Sequence, residues 1–274
     1  MKITFIGGGN MASALIGGLL RQAAAPADIL VVEPQAAQRA RLAETFGVTP
    51  LAAPEPAALA SEVLVLAVKP QQMRAAIAPL AGQLCHQIVV SIAAGLTLGT
   101  LSGWLEGYRR IVRVMPNTPA LIGAGMSGLC ALPDVALSER LVVERILETA
   151  GAILWVEDEA RMDAITAISG SGPAYLFFFI EALEKAAVEL GFPAEAARLL
   201  AIETTLGAAR LAADSGEAPA ILRERVTSPS GTTAAALAVL RENGVAEGII
   251  AGAKAAEARG RELSAQLADL RGNP

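Results

Sequence analysis

The sequence predicts an α/β first half, a mostly parallel doubly wound sheet, followed by an all-helical second half. Three observations carry this. The chain opens on strand-like residues, Ile3-Thr4-Phe5-Ile6, which run straight into Gly7-Gly8-Gly9 and then into an Ala- and Leu-rich helical pattern from Asn10. Short apolar runs alternate with helical spacing as far as residue 158. From there to residue 274 the segments carry helical spacing only, rich in Ala, Leu and Glu. The expected division is therefore residues 1–158 and 159–274.

The first turn has the form of a dinucleotide-binding unit, with Gly7, Gly9 and Ala12 at the G-x-G-x-x-G/A positions. Gly7 allows the tight turn, and Gly9 lets a pyrophosphate approach the backbone. Ala12 lets the helix pack closely on its strand, while Asn10 and Met11 open that helix, whose free N–H groups attract anions. A glycine-rich turn alone is a weak signal. The next strand, Ile29-Leu30-Val31-Val32, strengthens it by ending at Glu33. An acidic residue about 20 residues past the turn is placed to hold a ribose hydroxyl.

Composition narrows the class. Of 274 residues, 53% are hydrophobic but only 4% aromatic, so the core is built from Ala, Leu, Ile and Val. A net charge of −5, with no basic run, argues against a nucleic-acid partner. Cys85 and Cys130 lack metal-ligand spacing and read as idle thiols in a reducing compartment. The apolar N-terminal run is broken by glycines, which argues against a signal peptide. By this reading no stretch reaches the ~18 apolar residues of a membrane span, since the most apolar segment, residues 175–180, is followed at once by Glu181, Glu184 and Lys185. The expectation is a soluble, cytoplasmic protein without a metal.

Along the first half, residues 35–46 read as a second helix, and Pro50, Pro54 and Pro56 as a loop with a short helical piece. The run Val63-Leu64-Val65-Leu66-Ala67-Val68 has the continuous apolar character of a parallel strand covered on both faces. Lys69 and Pro70 follow it, at a strand end that faces the ligand cleft in such sheets; a solvated lysine is the plainer reading. Residues 71–80 are helical, 88–92 form a strand ending in Ala93-Ala94-Gly95, and Thr97 is placed to cap the next helix. Residues 111–115 form another strand, which stops at Pro116-Asn117-Thr118-Pro119. That stiff loop could present polar groups to a ligand or be an ordinary turn. Residues 125–132 and 152–156 complete the strands, and His86, the single histidine, reads as an exposed connector.

In the second half, helices are expected over 162–168, 173–190, 194–213, 219–226, 232–242 and 245–268. So large an apolar helical region is expected to bury its faces in a dimer. Two stretches exceed the needs of helix packing. Ser169-Gly170-Ser171-Gly172 is dense enough in glycine to break a helix, for a ligand or a close helix crossing. Thr227-Ser228-Pro229-Ser230-Gly231-Thr232-Thr233 places five hydroxyls at a helix N-terminus, where one suffices for a cap, and so suits a carboxylate. The scarcity of acid–base residues fits hydride transfer, in which a coenzyme carries the chemistry.

Six motifs in this order resemble pyrroline-5-carboxylate reductases over essentially the whole chain. They are Phe5 to Ala12, Ala67-Val68-Lys69-Pro70-Gln71, Ser91-Ile92-Ala93-Ala94-Gly95, Arg113 to Pro119, Ile168 to Tyr175, and Val226 to Thr233. The resemblance implies a Rossmann-type domain followed by an all-α dimerisation domain, with dimers in some members assembled into larger rings. It implies reduction of L-1-pyrroline-5-carboxylate to L-proline by NADPH or NADH. By the same match Lys69, Pro70, Ala93 and Asn117 line the nicotinamide side, and Ser228, Gly231, Thr232 and Thr233 hold the substrate. The substrate segment is expected from the partner subunit's helical domain. Thr233 and Lys69 are the candidates for catalytic roles, Thr233 at the imine nitrogen. Glu33 would repel a 2′-phosphate if it points at the ribose, and Arg39 or Arg41 could offset this, so the coenzyme preference stays open. A hydroxyacid dehydrogenase would want a lysine between residues 162 and 184, where none occurs. A non-catalytic dinucleotide sensor would leave the hydroxyl-rich segment unexplained.

Overall fold

The computed structural model describes residues 1–269. The chain divides into two compact units, Met1–Ser171 together with the described residues from Ala256 on, and Gly172–Ala255. The first unit is built on an eight-stranded sheet in the order β3-β2-β1-β4-β5-β6-β7-β8. The strands are β1 (Ile3–Ile6), β2 (Ile29–Val32), β3 (Thr49–Leu51), β4 (Val63–Leu66), β5 (Ile88–Ser91), β6 (Ile111–Met115), β7 (Gly125–Ala131) and β8 (Gly151–Trp155). All neighbours pair parallel except β6 with β7. The order reverses between β1 and β4, and at such a switch point the connections on either side part and leave a crevice at the carboxyl ends.

Successive residues of the strands point to opposite faces, and both faces are apolar. Phe5, Val31, Val65, Val90 and Val112 feed one buried cluster. Ile6, Val32, Leu66, Val89 and Ile111 feed the other. Each fully buried side chain of this size contributes about 1.5–3 kcal/mol. Helices α1 (Asn10–Arg21), α2 (Ala36–Phe46), α3 (Pro56–Leu59), α4 (Pro70–Ile77), α5 (Leu98–Trp104) and α6 (Leu137–Leu147) connect the strands. Thr97 caps α5, its side chain accepting from Thr100 N, as its position implied.

Two differences from the sequence reading concern this unit. Residues 49–51, expected in a loop, form edge strand β3, paired only with β2. Pro50 is tolerated there because an edge strand needs donors on one side only. The glycine-dense stretch expected to break a helix does not do so. Helix α7 (Arg161–Ile165) widens into a π turn, Thr166–Gly170, and helical backbone continues through Ser171 into α8 (Gly172–Glu189). The wider turn absorbs the irregularity without ending the helix. As a result Arg161–Glu189 is a 29-residue helix that is long and apolar enough to cross a membrane by length and composition alone. This differs from the expectation that no such stretch exists, which rested on Glu181, Glu184 and Lys185 following the apolar segment 175–180; a span of this length tolerates up to two such charges.

The second unit holds α8, α9 (Ala194–Ser215), α10 (Pro219–Arg225), α11 (Thr232–Glu242) and the first part of α12 (Val245–Asp269). Its helices leave much of their apolar surface uncovered. No residue of α8 is buried, and Phe177 and Phe178 are 59% and 75% exposed. An apolar helix of this kind requires a covering surface.

Candidate active site

A cavity of about 490 Å³ opens beside the glycine turn of the first unit. Of the residues expected at a coenzyme, Gly7, Gly9, Glu33, Ala67, Val68 and Lys69 line it. They come from the carboxyl ends of β1, β2 and β4, the three strands that flank the order reversal. Asn10, Met11, Ala12, Pro70, Ala93 and Asn117 are not among its lining. Ala12 is fully buried, which agrees with a role in seating α1 on the sheet. The cavity is also walled by residues that sequence reasoning missed, among them Ala52, Ala53, Pro54, Gln72 and Ala76. Small apolar side chains on the β3–α3 loop and on α4 carry no local signal of a ligand.

The three glycines have different physical duties. Gly7 adopts φ +100°, and a Cβ there would lie 2.7 Å from Val68 Cγ1 and 2.8 Å from the Ala67 carbonyl oxygen. Its amide donates to Val32 O at 2.8 Å, which ties the turn to β2. Gly9 is the N-cap of α1 in ordinary extended backbone, with no side chain capping the helix. A Cβ on Gly9 would meet nothing within 4 Å. The backbone there is bare toward the open side, next to first-turn N–H groups and with no acidic residue in that turn. That is the cradle a pyrophosphate requires.

Glu33 is 8% exposed and committed on both oxygens. One accepts the Gly8 amide at 3.0 Å and the other the Gln35 amide at 2.9 Å. The carboxylate therefore locks the glycine turn to the end of β2 while lining the cavity. Arg39 is not merely solvated. Its guanidinium donates to the carbonyl oxygens of Glu33 and Pro34 at 2.9 and 2.7 Å. Arg41 is exposed.

At the end of β6 the Asn117 amide is also fully engaged. It donates to Ser169 O at 3.1 Å and approaches Ser169 Oγ at 3.3 Å, while its oxygen accepts the Met126 amide at 2.9 Å. Below it, Arg113 is buried and ion-paired to Glu159 at 3.0 Å and Asp163 at 3.5 Å. Glu159 also accepts the Leu98 amide at the start of α5. Desolvation raises the Cys130 thiol above its ordinary range, with Glu159 adding to the rise, which disfavours the nucleophilic thiolate at this buried cysteine. Cys85 and His86 are exposed.

In the second unit, Gly231 is the N-cap of α11 and no side chain caps that helix. Ser228 and Thr232 are exposed and Thr233 is half-buried. Gly231 is closely packed: a Cβ would press on Ser228 Oγ, which would have to rotate aside, and would lie 3.2 Å from the Ser228 carbonyl oxygen. Ser230 sits at φ +59°, a left-handed conformation that is uncommon outside glycine and clusters at ligand sites. Thr227 differs from the other hydroxyls, because it donates to Arg223 O at 2.6 Å and closes the end of α10. A carboxylate at this helix start would meet unpaired N–H groups and exposed hydroxyls together.

Residues 159–263 match the family model for pyrroline-5-carboxylate reductase dimerisation, and residues 2–95 match one described as NADP oxidoreductase, coenzyme F420-dependent. A pyrroline-5-carboxylate reductase of Pseudomonas aeruginosa is 44% identical over 97% of this chain and 98% of its own length. The chain belongs to the pyrroline-5-carboxylate reductase family. Among solved structures, the reductase of Coxiella burnetii superposes with a TM-score of 0.90 at 39% identity, covering 96% of this chain and 98% of that one. The Plasmodium falciparum reductase, solved with NADP bound, gives 0.85 at 28% identity over the same shares. The dimerisation model covers the helices whose apolar faces lie uncovered in the single chain.

Proposed function

We propose that this chain reduces the C=N bond of L-1-pyrroline-5-carboxylate to give L-proline, with NADPH or NADH as reductant, the last step of proline biosynthesis. The observation that carries the coenzyme half is the cradle at Gly9, open on its outer side and backed by an uncapped helix start. Family membership supplies the reaction. When bound, the reduced nicotinamide supplies the hydride.

The chain's own residues bind and orient. Gly7, Gly9, Asn10, Met11 and Ala12 form the turn and helix start that receive the pyrophosphate. Ala67, Val68, Lys69 and Pro70 carry the site along the sheet edge, and Ala93 lies at the end of β5 on the nicotinamide side. Lys69, exposed at the start of α4, contributes positive charge beside a polyanionic coenzyme. Ser228, Gly231, Thr232 and Thr233 hold the substrate carboxylate against the start of α11, and the Thr233 hydroxyl hydrogen-bonds the imine nitrogen. An imine carbon accepts hydride readily once its nitrogen is protonated or hydrogen-bonded, so a strong acid side chain is not required.

The division of labour we infer is coenzyme binding by residues 1–158, and substrate binding and dimerisation by residues 159–274. The last five of these lie outside the described residues. In this reading the apolar helix Arg161–Glu189 is an interface between two copies, and the protein is a soluble cytoplasmic homodimer. Loss of nicotinamide absorbance with pyrroline-5-carboxylate, followed in parallel with NADPH and NADH, tests the reaction. Turnover to proline that falls sharply in Thr233→Ala is expected. Coenzyme binding without turnover would refute it, and full activity in Thr233→Ala would refute the substrate placement.

A further inference from the structure

Asn117 and Ser169 lie far apart in sequence and meet in a closed hydrogen-bonded ring with Met126. Asn117 Nδ2 has two hydrogens and two acceptors, Ser169 O at 3.1 Å and Ser169 Oγ at 3.3 Å. Ser169 Oγ in turn donates to Met126 O at 3.2 Å, and the Met126 amide donates to Asn117 Oδ1 at 2.9 Å. Three elements are joined at one point: the segment after β6, the start of β7 and the π turn Thr166–Gly170. The turn is seated closely, since a Cβ on Gly170 would lie 2.6 Å from Met115 Cε. Its widened bond runs from the Ser171 amide to Thr166 O at 2.8 Å.

A side chain here must donate twice and accept once in one plane, which asparagine does and aspartate or leucine does not. A π turn is an unfavourable form of helix that persists where surrounding contacts over-determine it. The ring is such a contact. It also uses the amide that would otherwise reach out to a nicotinamide.

We propose that Asn117 is a positioning residue that acts through Ser169. It holds the π turn against the carboxyl end of β6, so that the backbone of Ser169 and Gly170 stands as a fixed wall beside Met115 at the ligand edge of the sheet. What the wall serves rests on the reductase reading; the wall itself does not.

The test uses the full-length protein and the variants Asn117→Ala, Asn117→Asp, Ser169→Ala and the double Asn117→Ala/Ser169→Ala. Three quantities are read: amide hydrogen exchange over residues 166–171, coenzyme dissociation constant, and turnover. Each single variant is expected to speed exchange in that segment and to lower kcat by about three- to tenfold, the scale of one or two lost buried hydrogen bonds. The coenzyme constant moves less than about twofold, and the double variant is no worse than the poorer single, because both act on one ring. Asn117→Asp recovers activity relative to wild type as pH falls toward the carboxyl's titration, since the protonated acid regains a donor for Ser169 O.

A tenfold loss of coenzyme affinity in Asn117→Ala, with exchange unchanged in Ser169→Ala, would overturn the proposal and make Asn117 a direct coenzyme contact. Additive effects in the double variant would overturn it equally. If the wild type fails to turn over, the reductase reading falls, while the exchange measurements still decide the ring.

Discussion

Substituting alanine for each of two glycines in one turn separates a glycine required by the protein from one required by its ligand. At Gly7 the backbone has φ +100°, and the new Cβ would lie 2.7 Å from Val68 Cγ1, 2.8 Å from Ala67 O and 2.9 Å from Ala67 C. Left-handed backbone costs a non-glycine residue about 1–2 kcal/mol. The clash, mostly with main chain that cannot rotate aside, adds about 1–3 kcal/mol. Gly7→Ala should therefore destabilise the first unit by about 2–5 kcal/mol. At Gly9 the backbone is ordinary and a Cβ meets nothing within 4 Å. The entropy lost by the unfolded chain favours alanine by about 0.4–1 kcal/mol, and a poorer N-cap offsets a similar amount. Gly9→Ala should then leave stability within about 1 kcal/mol of wild type. Its methyl group instead fills the cradle, and an intrusion worth about 1–3 kcal/mol weakens coenzyme binding about 5- to 150-fold. Urea unfolding gives the first quantity and fluorescence titration with NADPH and NADH the second. Unchanged coenzyme affinity in Gly9→Ala would refute the assignment of that turn, and so would a stability loss at Gly9 as large as at Gly7.

Arg113→Met would leave Glu159 and Asp163 without their buried cation. Because Glu159 is partly exposed, the loss should sit near the lower end of the roughly 3–5 kcal/mol typical of a broken buried pair, read by urea unfolding. Glu33→Gln retains only one of the two acceptors used by the Gly8 and Gln35 amides, and should destabilise by about 1–3 kcal/mol. With the negative charge removed from the cavity wall, the ratio of kcat/KM for NADPH over NADH should rise. Burial raises the pKa of Tyr108 and of Cys130 above their ordinary values of 10.0 and 9.0. The folded state thus keeps protons that the unfolded state releases, so stability is intact below pH 9 and falls as pH rises beyond it. Tyr108→Phe should flatten the upper part of that decline in unfolding midpoints measured from pH 8 to 11.

Where the signal is local, the chain is readable. The strand, glycine turn and helix from Ile3 to Arg21 are specified by neighbouring residues, and so are the doubly covered strands β4 and β5. The same holds for much of the site. Gly7, Gly9, Glu33 and Lys69 are strand-end or turn residues, and a parallel sheet brings strand ends together at its switch point. What escaped depends on distant partners. Three residues of β3 show no period, and Pro50 argues for a loop until β2 is seen beside it. Glu33 looks like a ribose ligand by spacing, but its hydrogen bonds are set by Gly8 and Gln35. The glycines after Ser169 look like a helix break, and nothing nearby says that Asn117 will hold them in a π turn. Exposed phenylalanines on α8 follow from a composition that anticipates a covering surface, although Glu181, Glu184 and Lys185 made the apolar run look too short to span a membrane.

The last described part of α12 has a consequence for how the chain is made. Leu267 packs into the apolar cluster on one face of the sheet and lies 3.0 Å from where a Cβ on Gly95 would stand, while Ser264 approaches Asp163 at 3.4 Å. The first unit therefore uses residues from both sides of the Gly172–Ala255 segment. During synthesis its sheet can assemble early, but Gly95 gains its Leu267 and Ser264 neighbours only once α12 has left the ribosome. Packing of the first unit is thus tied to synthesis of α12, and a nascent chain stalled inside α11 lacks the Leu267 and Ser264 contacts.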